Sequence, residues 1–374
     1  MKLCFNKFEL SKNKNIKYYY FLDLLRWLAA MSVLTFHYFL YFLFLPSDRG
    51  MYLYTDGSNK LINFIQEFVW SSGVGGKAVW FFWCISGFVF TNILVNKKIK
   101  LKEFSLKRFF RLYPLHLLTL VLVLILEMYS LYKFNEQQIL GAYYDFYHFI
   151  LNLFFVSGWG IFEKGYSYNH IIWSVSVEIP IYFLFFFIML YIKENHIIYI
   201  FGLLIISWFL IYFGYNKNLM ICFFYFIFGS LIYLLCSIFQ NYKKSLIFLS
   251  IILFLCSFII DDIEKLIFVS NFKKYIPTLL ILFGSLLMFS YFIEDFLFFR
   301  KKLSFFGNNS YGIFLLSVPY QLLFLILIEH NILKDDFFYS FKSLAFFLIS
   351  INILAYFVFK NYEDPIRKKL SSQL

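Results

Sequence analysis

The chain is built mostly from apolar stretches too long for a soluble core, separated by short polar breaks. About 20 predominantly apolar residues are needed to cross a bilayer as a helix. Inside the hydrocarbon the backbone must satisfy its own hydrogen bonds, which a helix does within one segment. Runs of this kind recur at residues 20–45, 71–95, 112–134, 170–192, 197–213, 219–239, 246–260, 276–293, 310–328 and 343–359. They predict an all-α fold, a polytopic transmembrane helix bundle of about ten helices. With 61% hydrophobic and only 15% charged residues, the composition points to the same class. A further apolar run at 149–159 is too short to span and reads as interfacial or re-entrant. The sequence shows neither an internal repeat nor a linker, so residues 1–374 read as a single membrane domain with its core at about 20–360 and no appended soluble domain.

The net charge of +12 is read in that setting. Excess Lys and Arg in a membrane protein mark cytoplasmic loops and do not imply nucleic acid. Lys2, Lys7, Lys12, Lys14 and Lys17 place the N-terminus in the cytoplasm. The clusters Lys97–Arg111, Lys243–Lys244 and Arg300–Lys302 fall on the same side if ten helices cross, and both termini are then cytoplasmic. The apolar run after the basic start is too long for a cleavable signal, and no small-residue cleavage site follows closely. Cys4, Cys84, Cys222, Cys236 and Cys256 lie mostly in apolar segments and form no CxxC pair, so neither a disulfide framework nor a metal site is implied.

The most informative stretch is the first, YFLDLLRWLAAMSVLTFHYFLYFLFL, because it carries Asp23, Arg26 and His37. Ionisable groups inside a membrane are costly and mark a protein interior or a wet cavity. Eleven residues make about three helical turns, so Arg26 and His37 share a face about 16 Å apart, and Asp23, three residues before Arg26, joins them. An interfacial Asp–Arg pair and a packing histidine are the bland alternative. The run HIIWSVSVEIPIYFLFF holds Glu178 in an otherwise apolar span. Glu178 and His37 each lie about eight residues, or about 12 Å, below the outer ends of their helices. A carboxylate beside an imidazole fixes its tautomer and strengthens it as a base. The alternative for Glu178 is a structural carboxylate satisfied by Ser174 or Ser176.

Arg108 and Arg111 in SLKRFFRLYP share a helix face and can grip phosphates, although an inner basic collar has the same composition. Ser86-Gly87 in ISGFVF is a small-residue notch that either packs helices closely or leaves room for a narrow ligand. In GNNSYGIFLL, Ser310 reads as a helix cap and Tyr311 as a polar wall. His116, His170 and His330 sit near predicted helix ends and need no functional explanation.

Taken together, LDLLRWLAAMSVLTFH (22–37), FFWCISGF (81–88), KRFFRLYP (107–114), WSVSVE (173–178), SYGIFL (310–315) and EDP (363–365) resemble, in order, the motifs of the acyltransferase-3 family of integral membrane acyltransferases. Those proteins typically carry LDGLRGLAAL followed by His, FFxxSGF, KRxxRxxP, WSLSVE, SYxLYL and a terminal ExP. This chain departs from the pattern twice: Ser317 stands near the place of a late family His, and Ile179 stands where a second acid often follows the Glu. The resemblance implies transfer of an acyl group, usually acetyl from cytoplasmic acetyl-CoA, to a hydroxyl of a carbohydrate or glycolipid at the membrane. It implies no permanently bound cofactor and no metal, with the acyl-CoA as co-substrate. On this reading His37 and Glu178 are catalytic. Arg26, Arg108, Arg111 and Ser86 hold the acyl-CoA, and Asp23, Trp173, Ser176 and Tyr311 line the acceptor pocket. The implied location is the inner, cytoplasmic membrane. A glycan transporter or flippase would also place charges in a wet membrane cavity, without depending on CoA. A glycan polymerase would usually rely on large extracytoplasmic loops, of which residues 135–169 are the one sizeable candidate.

Overall fold

The computed structural model describes residues 16–44, 60–138, 142–160, 165–192, 196–215, 217–267, 276–334 and 337–371. Its elements are α1 (Tyr20–Phe39), α2 (Lys60–Ser72), α3 (Val74–Asn96), α4 (Leu101–Phe134), α5 (Phe146–Leu153), α6 (Trp173–Tyr191) and α7 (His196–Tyr212). They continue as α8 (Lys217–Ile238), α9 (Lys243–Ile267), α10 (Ile276–Ile293), α11 (Ser304–Glu329), α12 (Phe341–Val358) and α13 (Asp364–Ser371). Among the described residues there is no β-strand, and the fold is an all-α polytopic bundle. Among the described residues, eight helical segments are long and apolar enough to cross a membrane, and two shorter apolar ones lie at His196–Tyr212 and Thr278–Ile293.

Each of the ten predicted runs falls on a helix, but several ends differ. α4 begins at Leu101, so KRFFR lies within a helix and not before it. The added turns are held by an i,i+4 pair, Lys107 Nζ to Glu103 Oε1 at 2.6 Å, and by burial of Phe104. α11 begins at Ser304, so Ser310 is not a cap: it is buried inside the helix with its Oγ donating to the Gly307 carbonyl. α2 was not anticipated. It buries Ile62, Gln66 and Val69 at helical spacing along one face, and Gly73, at φ +59°, turns the chain out of it into α3. The predicted polar loop at 46–50 and the basic residues Lys2 to Lys14 lie outside the described residues.

The chain divides into two compact units interleaved along the sequence. The first takes residues up to Leu25, Trp80–Leu101 and Pro180–Ser304. Within it α7 packs on α8, and α10 on both α8 and α9. α3 and α8 approach through glycines: a Cβ on Gly87 would fall on the Phe226 carbonyl, and one on Gly229 on the Cys84 carbonyl. The Ser86-Gly87 notch thus serves helix packing at Gly87, and Ser230 Oγ also donates to the Gly87 carbonyl. At one end of this unit Lys17 and Lys243 both pair with Asp295, and Glu294 accepts the Phe21 amide at the start of α1.

The second unit takes Arg26–Val79, Lys102–Ile179 and Phe305–Leu374. α11 is its core, buried along most of its length from Gly307 to Ile328. Ser340 caps α12 in a reciprocal box with Ser343. Tyr38 donates to the Phe338 carbonyl at 2.7 Å, and the Phe42 and Phe338 rings stack 3.7 Å apart. The described residues between Ala142 and Ile172 are tied down by polar contacts, unlike a lipid-facing loop. Asp145 caps α5, Tyr168 donates to the Tyr144 and Asp145 carbonyls, and Asn152 Nδ2 donates to Ser167 Oγ. His116 Nε2 meets the Asn152 carbonyl at 2.9 Å and fixes the segment to α4.

Candidate active site

Eight of the ten residues singled out in the sequence belong to the second unit: Arg26, His37, Arg108, Arg111, Trp173, Ser176, Glu178 and Tyr311. Asp23 and Ser86 belong to the first. Asp23 is buried and accepts the Tyr18 hydroxyl at 2.6 Å, which makes it an anchor for the start of α1. Ser86 is half-buried beside the α3–α8 glycine crossing.

The central histidine lies in the last turn of α1. His37 Nδ1 is 2.9 Å from the Val33 carbonyl, one turn back in the same helix. A carbonyl oxygen only accepts, so Nδ1 carries the proton and Nε2 presents the lone pair. His37 is half-buried and therefore reachable. Among the rings around it is that of His170, edge to face with centroids 5.7 Å apart. His170 sits in a 3₁₀ turn, His170–Ile172, that leads into α6. Tyr41, in the π-helical turn Leu40–Phe44 after α1, places its hydroxyl oxygen 2.7 Å from His170 Nε2. The tautomer of His37 is set by its own backbone, and the other imidazole in ring contact with it is His170, where the sequence reading expects Glu178 beside it. The physical reason is the register of α6. His170 occupies the level of His37, and Glu178 falls eight residues, or about 12 Å, further along the helix.

Glu178 instead joins a second cluster. Tyr311 lies within electrostatic range of Glu363, Arg111 and Glu178. Glu363 is buried, and Arg111 and Arg367 supply the positive field around it. Glu363 belongs to the EDP motif and is placed by a π-helical turn, Phe359–Glu363, between α12 and α13. Such turns concentrate at functional positions. Tyr311 donates its hydroxyl to the Leu112 carbonyl at 2.8 Å and Tyr362 to the Pro114 carbonyl at 3.2 Å. Both hydroxyls therefore pin neighbouring helices to α4 beside its internal Pro114. Arg108 sits one turn before Arg111 on α4, its guanidinium 5.8 Å from the Phe104 ring centroid. α6 thus runs from the histidine pair to the arginine cluster, and α1 carries Arg26 and His37 with the same kind of separation.

One expected pocket residue, Ser176, makes a joint in the structure. Ser176 Oγ accepts the Gly158 amide and donates to the Trp173 carbonyl, both at 2.8 Å. It is fully buried and joins α6 to the loop after α5. It does not satisfy Glu178. Gly158 is required there, because a Cβ would fall on the Trp173 carbonyl and on Ser176 Oγ. Trp173 opens α6 and is half-buried. The site residues missed in the sequence are His170, Tyr41 and Glu363. The EDP motif was a signal for Glu363, whereas the His37–His170 contact joins residues 133 positions apart and left none in the sequence pattern.

The helices define a multi-pass membrane protein whose ionisable side chains gather at a histidine pair and an arginine–carboxylate cluster. The family model for the acyltransferase-3 group, an acyltransferase domain, matches residues 19–363, and the chain belongs to that family. No curated protein and no solved structure matches it.

Proposed function

We propose that this acyltransferase moves an acyl group, acetyl in the first instance, from cytoplasmic acyl-CoA to a hydroxyl of a cell-surface or lipid-linked carbohydrate. The observation that carries the mechanism is the Val33 bond, which leaves His37 Nε2 as the basic nitrogen. His37 takes the acceptor hydroxyl proton, the oxygen attacks the thioester carbonyl, and the carbon–sulfur bond breaks to release CoA, whose sulfur receives the proton. Arg26, Arg108 and Arg111 hold the phosphates of the donor, guanidinium being suited to bidentate phosphate contacts. Glu178, Glu363 and Tyr311 keep Arg111 in place and moderate its charge. The pantetheine arm follows the Arg26–His37 face toward the base. Excess basic residues on one set of loops support cytoplasmic termini and a cytoplasmic donor side. Location in the inner membrane is part of the same reading.

The test is a comparison of surface glycans by mass, with the gene intact, deleted, and restored as the His37→Ala form. O-acyl mass present only with the intact gene supports the reading. Glycan translocation by the chain without consumption of acyl-CoA overturns it.

A further inference from the structure

The environment of His170 combines a polar partner with a second imidazole. A buried imidazole requires one or two polar partners. His170 has the Tyr41 hydroxyl at 2.7 Å from Nε2 and 3.0 Å from Nδ1, and it also lies edge-on to a second imidazole, His37. The Tyr166 ring closes another side, with centroids 5.4 Å apart. Tyr41 is 2% exposed and within electrostatic range of Glu127 and Tyr166. Glu127, 1% exposed in α4, accepts the Tyr144 hydroxyl at 2.9 Å and the Gln138 amide at 3.2 Å. A line of polar groups thus runs from half-buried His37 through His170 and Tyr41 toward a buried carboxylate. It draws on α1, the turn after it, the turn before α6, and α4. Of the titratable groups on these elements, Tyr41 and Tyr166 lie against His170, and Glu127 and Tyr144 lie within electrostatic range of Tyr41.

Two adjacent imidazoles titrate as a pair, because a proton on one disfavours a proton on the other. The pair therefore takes up no more than one proton at a time, which is the number an acyl transfer moves. We propose that His170, held by Tyr41, is a positioning residue for the transfer: it sets the His37 ring and shares the proton that His37 takes from the acceptor hydroxyl, with the Glu127 carboxylate balancing the charge from behind. The proposal rests on His37 being the base. In the step the acceptor O–H bond breaks and the proton goes to His37 Nε2. The oxygen–acyl bond forms as the acyl–sulfur bond breaks, and the pair returns the proton to the departing sulfur. No oxidant or reductant is involved.

The experiment uses membranes containing the full chain, with acetyl-labelled acetyl-CoA as donor and the membranes' own glycans as acceptor. His170→Gln keeps a polar atom near Nε2 for Tyr41 but cannot carry a proton. It is expected to lower kcat about tenfold or more with KM for acetyl-CoA unchanged, and to alter the pH–rate profile. Tyr41→Phe, which removes only a hydroxyl, is expected to alter the same profile with a smaller loss. A wild-type rate and profile in His170→Gln overturns the proposal. If His170→Gln fails to accumulate, Tyr41→Phe decides: an altered profile supports the proposal and a wild-type profile overturns it. His37→Ala runs alongside. Activity lost there but intact in His170→Gln removes the shared proton alone, whereas activity retained in His37→Ala removes the base on which the proposal rests.

Discussion

His37 Nδ1 donates to the Val33 carbonyl at 2.9 Å, so the tautomer of this site's base is fixed by the helix that carries it. Its tautomer then survives removal of any distant side chain. The basic nitrogen, in contrast, depends wholly on residue 37.

His37→Asn can keep a donor to the Val33 carbonyl but has nothing in place of Nε2. It is expected to insert and accumulate normally and to lose about 10²–10⁴-fold in rate, as removal of a positioned base does. His37→Ala should lose as much. The measurement is O-acyl product per unit of membrane-inserted protein. Near-normal product from His37→Asn would remove the general-base role.

Arg111 and Glu363 are related through charge at a distance, Glu363 being 3% exposed and within electrostatic range of the guanidinium. Removing a cation near a buried carboxylate leaves that carboxylate less compensated. Arg111→Ala is therefore expected to cost about 2 kcal/mol or more of stability, where Arg108→Ala costs little. Arg111→Ala with Glu363→Gln should recover much of the loss. Thermal unfolding of the detergent-solubilised protein reads this directly. Equal destabilisation by Arg108→Ala and Arg111→Ala would show that the carboxylate does not distinguish them. For donor binding both changes should raise KM for acyl-CoA, since both cations are assigned to its phosphates.

The spans were legible because apolar length is a strong local signal, and α1 placed Arg26 and His37 by periodicity alone. What local pattern hid were elements whose residues are not apolar. The start of α4 is charged and helical because Glu103 and Lys107 pair one turn apart, and α2 buries a single narrow face. Of the site, the arginines and His37 were legible as expensive residues in apolar runs. Glu178 was legible as important but not its neighbours, since the 3₁₀ turn at His170–Ile172 decides which side chain of that region reaches the level of His37.

Ser176 shows the same limit from the other side: a polar residue beside Glu178 in a functional motif proves to be a joint. Ser176→Ala removes the acceptor of the Gly158 amide, and an unsatisfied buried amide costs about 1–3 kcal/mol. The expected outcome is a lower Tm with KM for donor and acceptor unchanged in the folded fraction. Gly158→Ala should be worse, as its Cβ meets the Trp173 carbonyl. A changed KM at unchanged Tm would return Ser176 to the pocket.

The last prediction concerns pH and the segment that delivers His170. Asp145 is the N-cap of α5, accepting the His148 amide at 2.8 Å and the His148 ring Nδ1 at 2.8 Å. Its carboxyl is held below the ordinary carboxylate value, first by the His148 backbone N–H, against a smaller opposing effect of desolvation, with the His148 side chain adding to the lowering. A carboxylate lowered in the folded state stabilises fully above its unfolded value, about 3.9, and loses that contribution as pH falls through the folded value. At about pH 7, Asp145→Ala should destabilise α5 by about 1 kcal/mol, the usual cost of a lost N-cap. Asp145→Asn, which retains a capping oxygen, should cost less. On acidification below about pH 4 the wild type should approach Asp145→Ala, because protonation removes the charge that the cap exploits. Hydrogen exchange across residues 146–153, measured at both pH values, is the check. A penalty for Asp145→Ala that stayed constant on acidification would show that the cap acts through its shape and not its charge.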